Sequence, residues 1–252
     1  MSRTPYIAGN WKMHLTKRKA SSLARDVAEF QGENPACKVA VFPTFLHLDY
    51  VRRNLKGSNV ILGAQNCYGK KEGAYTGEIS PYMLRDMGVK VVLIGHSERR
   101  HIFGETDTMM SDKVKITLRA KLDVMLCVGE TLEERESGKT FAVLARQLRA
   151  LKVVKTSQAE RVSVAYEPVW AIGTGKTATP AMAQEAHAEC RRLLGDILGA
   201  QAAATIPILY GGSVKAGNAA ELLSQTDVDG ALVGGASLSI HDFGPIIDAA
   251  TA

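Results

Sequence analysis

Val89-Lys90-Val91-Val92-Leu93-Ile94-Gly95-His96-Ser97-Glu98-Arg99-Arg100 is the stretch that decides the fold. A short run of β-branched and aliphatic residues breaks off at a glycine into a polar cluster. Such a run suits a strand covered on both faces. Seven more of the kind lie along the chain: Tyr6–Gly9, Lys38–Phe42, Val60–Ala64, Asp123–Val128, Val162–Tyr166, Ile206–Tyr210 and Gly230–Val233. Helical periodicity fills the intervals. Ala20, Leu23, Ala24, Val27 and Ala28 form one stripe, Phe141, Leu144, Ala145, Leu148 and Leu151 a second, and Met110, Val114 and Leu118 a third. Ser80-Pro81 and Thr179-Pro180 read as helix starts, an N-cap followed by proline at the first helical position. Asn218 with Glu221 three residues on reads as a capping-box start, and Glu133–Glu136 as a solvated one.

Eight strand–helix alternations in 252 residues give a repeat of about 30 residues, the size of a βα unit. The class is α/β. An open doubly wound sheet and a closed eight-stranded parallel (β/α)8 barrel both fit the pattern. The number eight, the even spacing and the lack of a Pro/Gly/Ser-rich linker favour the barrel, as a single domain over residues 1–252.

Composition narrows the class. Hydrophobic residues make up 46% and charged residues 23%, ordinary for a globular protein and far from disordered or collagen-like chains. No apolar stretch approaches the roughly 20 residues that cross a bilayer, and Met1–Pro5 lacks the pattern of a secretory signal. Cys37, Cys67, Cys127 and Cys190 show no CxxC spacing, so a reducing, cytoplasmic setting is expected. The net charge of +5 comes from 31 bases against 26 acids. The basic clusters, Lys17-Arg18-Lys19 and Lys70-Lys71, are short and free of interleaved aromatics, which argues against nucleic acid; a small anionic substrate suits the balance.

Several motifs fail on inspection. Gly175-Lys176-Thr177 would end a P-loop only with glycine at 170, where Trp170 stands. Gly173–Ala178 begins seven residues past its strand, too far for a dinucleotide fingerprint turn. Gly211–Lys215 lacks the second glycine of a nucleophile elbow. His96 and His101 are five apart, the wrong spacing for two ligands on one helix face, so no metal site is expected.

In α/β folds of this kind the chemistry sits where strands end at their C-termini. Strand one ends in Asn10-Trp11-Lys12, where an extended chain points Asn10 and Lys12 to one side. Strand four ends in His96-Ser97-Glu98, strand six in Glu167-Pro168, strand seven in Gly211-Gly212-Ser213 and strand eight in Gly234-Gly235. A carboxylate can lift a proton from carbon, an imidazole can polarise an oxygen, an ammonium can offset the charge left there, and glycine pairs let backbone N–H groups approach a phosphate. Together they suit proton abstraction beside a carbonyl on a small phosphorylated substrate. Trp11 and Trp170 read as packing residues.

The same segments resemble the triosephosphate isomerase family. The matching stretches are Gly9–Met13, Gly63–Asn66, Gly73–Glu78, Gly95–Arg100, Cys127–Glu130, Ala165–Thr179, Tyr210–Val214 and Leu232–Leu238, in order over nearly the whole chain. The resemblance implies a cofactor-free interconversion of dihydroxyacetone phosphate and D-glyceraldehyde 3-phosphate, a step of glycolysis and gluconeogenesis. It implies Glu167 as base, His96 as neutral electrophile, Lys12 as electrostatic stabiliser, Asn10 as a positioning amide and Glu98 as partner of the lysine. A glutamate base beside a neutral imidazole is the family's own chemistry, carried over by likeness and not read from spacing. Pro168–Ala178 matches the family's lid; Gly173 in it, with Ser213, Gly234 and Gly235, is implied to hold phosphate through backbone N–H groups. A homodimer is implied through the 67–80 loop, with Thr76 near the partner's Lys12. The departures are His14, where the family usually has asparagine, and the loop tip Cys67–Glu72, which leaves the strength of the interface open. The competing reading is a non-catalytic barrel that only binds phosphate.

Overall fold

The computed structural model describes residues 3–33, 36–172 and 177–251. Eight parallel strands close into a barrel: β1 (Tyr6–Asn10), β2 (Lys38–Phe42), β3 (Ile61–Ala64), β4 (Val91–Ile94), β5 (Asp123–Val128), β6 (Val162–Tyr166), β7 (Ile208–Tyr210) and β8 (Gly230–Val233). Each pairs with the next in sequence, and β8 returns to β1 with Tyr6 opposite Gly230 and Gly9 opposite Val233. The closed alternative is the observed one. All eight runs match within two residues at each end; the largest offsets are Ile206 and Pro207, which precede β7, and Val89 and Lys90, which precede β4.

Alternation along the strands builds two apolar layers. Tyr6, Ala8, Phe42, Leu93, Met125, Cys127, Ala165 and Leu209 belong to one buried cluster, which fills the barrel interior. Their neighbours Ile7, Val41, Ile94, Leu126, Val164 and Ile208 point outward and pack with the helices. The helix Lys17–Glu33 buries Ala20, Leu23, Ala24 and Val27, and Asp107–Arg119 buries Met110, Val114 and Leu118, as their stripes require. Full burial of one such leucine or valine stabilises the fold by about 1.5–3 kcal/mol. Ser80 and Thr179 accept from the amides of Tyr82 and Met182, each capping a helix whose first residue is proline. Thr131 and Glu134 form a reciprocal capping box ahead of Leu132–Glu136.

One helix reading is corrected and one is adjusted at a single residue. Asn218 does not start a helix: Ala216–Leu223 begins earlier, and Asn218 sits in its first turn, its Oδ1 accepting from the Lys215 amide at 2.8 Å and its Nδ2 donating to the Ser213 carbonyl at 3.1 Å. An amide side chain can close the turn from inside the helix as well as from its cap. In the stripe through Thr140–Leu148, Leu144, Leu148 and Leu151 are buried and Ala145 packs on the core as expected, and only Phe141, 44% exposed, departs from it, with Val143 buried instead. No helix among the described residues is long and apolar enough to cross a membrane.

Candidate active site

The polar strand ends meet around one hollow. Asn10, Lys12, His96, Glu167, Ser213, Gly234 and Gly235 line a space of about 240 Å³ at the C-terminal end of the barrel, with Ile172 and Leu232 among its apolar walls.

The chain leaves β1 in a turn. Lys12 adopts a left-handed φ of +49°, and its amide donates to Asn10 Oδ1 at 3.1 Å. The expectation of an extended chain through Lys12 is therefore corrected, although both side chains still reach the hollow. Asparagine suits the position because its short side chain can close such a turn. Gln65, just past β3, pins the geometry: its Nε2 donates to the carbonyls of Lys12 and Phe42, both at 2.8 Å. The Lys12 ammonium donates to Glu98 Oε1 at 2.7 Å. Glu98 does not line the hollow. Partial burial works against its charged form, and the Lys12 contact outweighs that, so its carboxyl titrates below the usual range.

β4 delivers His96 through a sharp turn at Gly95, whose φ is +75°. Arg100 fixes that turn by donating to the Gly95 carbonyl at 2.7 Å and the Cys127 carbonyl at 3.1 Å. His96 is buried and caps the helix Ser97–His101, its Nδ1 accepting from the Glu98 amide at 3.3 Å. With a donor at Nδ1, a neutral ring carries its proton on Nε2. Nε2 lies 3.0 Å from Glu167 Oε1. Burial opposes a charge on the ring, but the Glu167 carboxylate more than offsets it, so the pKa lies above the ordinary histidine value in this arrangement. The Glu167 contact thus works against the neutral imidazole expected from the sequence, while burial and the Lys12 charge work for it.

Glu167 is the most enclosed group of the set, its side chain 2% exposed. Its Oε2 accepts from the Ser97 amide at 2.8 Å, and its own amide donates to the Val128 carbonyl at 2.7 Å. Two glycines make room for it. A Cβ on Gly129 would stand 1.7 Å from the Glu167 carbonyl oxygen, and one on Gly211 would stand 2.8 Å from Glu167 Cγ. Beyond it, the Ser213 hydroxyl donates to the Ala171 carbonyl at 2.7 Å, tying strand seven's loop to the segment after Glu167. Glu130 Oε1 gathers Tyr166 Oη and Trp170 Nε1, each at 3.0 Å, so Trp170 is hydrogen-bonded as well as packed. Gly173 lies outside the described residues. Thr76 is exposed and lies outside the hollow.

A family model described as triosephosphate isomerase matches residues 5–250. The chain belongs to the triosephosphate isomerase family. Curated relatives bearing that name agree along nearly their whole length. The one from Carboxydothermus hydrogenoformans is 51% identical over 246 residues, covering 97% of this chain and 98% of the relative. Those from Syntrophotalea carbinolica and Chloroherpeton thalassium are each 50% identical, over 242 and 250 residues, covering 96% and 98% of this chain and 96% and 99% of the relatives. Within the family's barrel, the supporting contacts of Gln65, Ser97, Gly129 and Glu130 went unassigned in the sequence. Their segments were visible there, but each acts on a residue from a different strand end, and no local pattern encodes that.

Proposed function

We infer that this chain is a cofactor-free isomerase that interconverts dihydroxyacetone phosphate and D-glyceraldehyde 3-phosphate through an enediolate. One observation carries the reading: Glu167, His96 and Lys12 border the same hollow as Ser213, Gly234 and Gly235. The phosphate is held at the Ser213, Gly234 and Gly235 end by backbone N–H groups, and Gly173 adds another from the lid. Glu167 turns from the Ser97 amide towards the substrate and takes a proton from the carbon beside the carbonyl. The electron pair passes to the carbonyl oxygen. The Nε2–H of His96, released from Glu167, donates to that oxygen, and the Lys12 ammonium offsets its charge; Asn10 positions the substrate beside them. Once Glu167 has left, burial and the Lys12 charge both favour the neutral ring. Glu167 then returns the proton to the neighbouring carbon, and His96 moves a proton between the two oxygens, which completes the isomerisation.

The closure of β8 on β1 supports a single domain over residues 1–252. A cytoplasmic setting agrees with four cysteines that are all free and buried. The dimer reading rests on exposed apolar side chains around the catalytic rim, among them Met13 at 92% and Leu46 at 84%, and on the exposed Thr76 loop, which would approach the partner's Lys12. Sedimentation should give twice the chain mass, and Met13→Arg should shift it to the monomer; a monomeric wild type contradicts the dimer.

The activity is tested by supplying dihydroxyacetone phosphate and trapping the aldehyde product with a coupled dehydrogenase. Turnover that disappears with Glu167→Gln is expected. A folded protein that binds a phosphate-bearing enediolate mimic without turning substrate over would instead be the non-catalytic barrel.

A further inference from the structure

At the N-terminal end of the barrel, away from the catalytic rim, charge is left unbalanced. A hollow of about 530 Å³ opens between the turn after the helix Leu48–Asn54 and the turn before β4. Arg52, Arg53, Lys56 and Lys90 line it, over a floor of Leu55, Val60 and Leu62, and no carboxylate is among its lining residues. Asp49 pairs with two of these cations, and both of its oxygens are taken: it accepts from Arg52 at 2.9 Å and from Arg53 at 2.5 Å. Lys56 and Lys90 have no side-chain hydrogen bond or ion pair among the described residues. Of the four cations only Arg52 and Arg53 have an ion-pair partner among the described residues, and they share Asp49.

Many other charges of the molecule are interleaved with the opposite sign, although Lys17, Arg18, Lys19 and Arg25 also line a hollow without a carboxylate. Arg191 lies between Asp227 and Asp229, Arg192 between Glu189 and Asp196, and Asp107 between Arg100 and Arg146. Gathering like charges is unfavourable, and an anion relieves the cost. The cationic rim is also anchored. The Lys90 amide donates to the Leu62 carbonyl at 2.9 Å and its carbonyl accepts from the Asp123 amide at 2.8 Å, so its backbone is held between β3 and β5. Gly88, at φ +89°, lets the Arg52 stem lie across the turn; a Cβ there would stand 2.8 Å from Arg52 Cδ.

We propose that this hollow binds a small organic anion bearing two or more phosphoryl groups, which meet the guanidinium and ammonium groups while the carbon skeleton covers Leu55, Val60 and Leu62. Guanidinium forks match phosphoryl oxygens well, and the excess of positive charge suits a ligand with more than one anionic group. The site is independent of the isomerase reading, and its occupation leaves the catalytic hollow open.

The test is an amide NMR titration of the full-length protein with inorganic pyrophosphate at low salt. The Gly88 and Lys90 amides should shift saturably. The pair Lys56→Gln with Lys90→Gln should weaken that titration about tenfold, the scale of two exposed charge contacts, with turnover at the wild-type level; Lys56→Arg with Lys90→Arg should retain it. The proposal is overturned if those amides drift without saturating, if the glutamine pair binds as tightly as wild type, or if Lys12→Ala abolishes their response, which would place the anion in the catalytic hollow alone. Loss of the isomerase reading would show in turnover and leave this titration unaffected.

Discussion

The region below β7 and β8 and the catalytic rim above them use the same residue types to different ends. Below, the charges satisfy one another. Asp229 accepts from Arg3, from Arg191 at 2.7 Å and from the Ile208 amide at 2.8 Å. Asp227 accepts from Arg191 at 2.6 Å and Gln184 at 2.7 Å, and although burial works against its charge, these donors keep its carboxyl below the usual range. At the other end of the barrel Lys12, His96 and Glu167 also touch partners, but they border a hollow, where the proposed reaction would bring the substrate. On the proposed reading, the paired charges below β7 and β8 hold the fold, and the charges that border the upper hollow act on the substrate. Removing a member of the first set should cost stability, and removing a member of the second should cost rate.

Glu167→Ala tests the difference most severely. Loss of a positioned base should lower kcat by about 10⁴-fold, and Glu167→Asp, whose carboxylate retreats by a methylene, by about 10²-fold. Thermal unfolding of both should stay close to wild type. Turnover at the wild-type level in either variant would remove the base assignment. At the other end, Arg191→Met leaves two carboxylates without their main cation and should lower the unfolding free energy by about 3 kcal/mol, measured by urea titration, with kcat of the folded enzyme unchanged. A rate defect without a stability defect would erase the contrast between the two ends.

His187 sharpens the contrast through pH. It is fully buried between Tyr166 and Tyr210, with Nδ1 3.1 Å from the Asp227 carbonyl, and burial lowers its pKa to about 4. An unfolded histidine titrates near 6.5. The unfolded chain therefore binds the extra proton first as pH falls, and this contribution, complete above about 6.5, is lost progressively down to about 4. His187→Gln should flatten that part of the stability curve by up to about 3 kcal/mol; an unchanged slope would show that His187 titrates normally. The smallest expected effect is that of Gln65→Met. It frees the carbonyls of Lys12 and Phe42 and should lower kcat/KM about tenfold, a loss of roughly 1.4 kcal/mol, with stability nearly kept. A loss confined to stability would make Gln65 a packing residue.

The contrast also explains what could be read in advance. Strands of a covered parallel sheet are apolar on both faces, so Val91–Ile94 and Val162–Tyr166 announce themselves, and chemistry at their ends can be read off as the first polar residue after the run. Glu167 and His96 are legible for that reason. Gln65, Ser97 and Gly129 are not, because each serves a residue brought to it only when the barrel closes. The register of Asn218 was missed because its amide bonds the Lys215 backbone from within the helix, where the local pattern resembles a cap. Gly173, given a phosphate role by resemblance, lies outside the described residues.

The central claim is that Glu167 carries a proton between two carbons of the substrate. Isomerisation in deuterium oxide, with the recovered triose phosphates analysed by NMR, tests it most directly. The account predicts solvent deuterium on carbon in both isomers, at the positions the base serves, and none when Glu167→Gln is used. Isomerisation at full rate with no deuterium on carbon, the mark of a direct hydride shift, would contradict it.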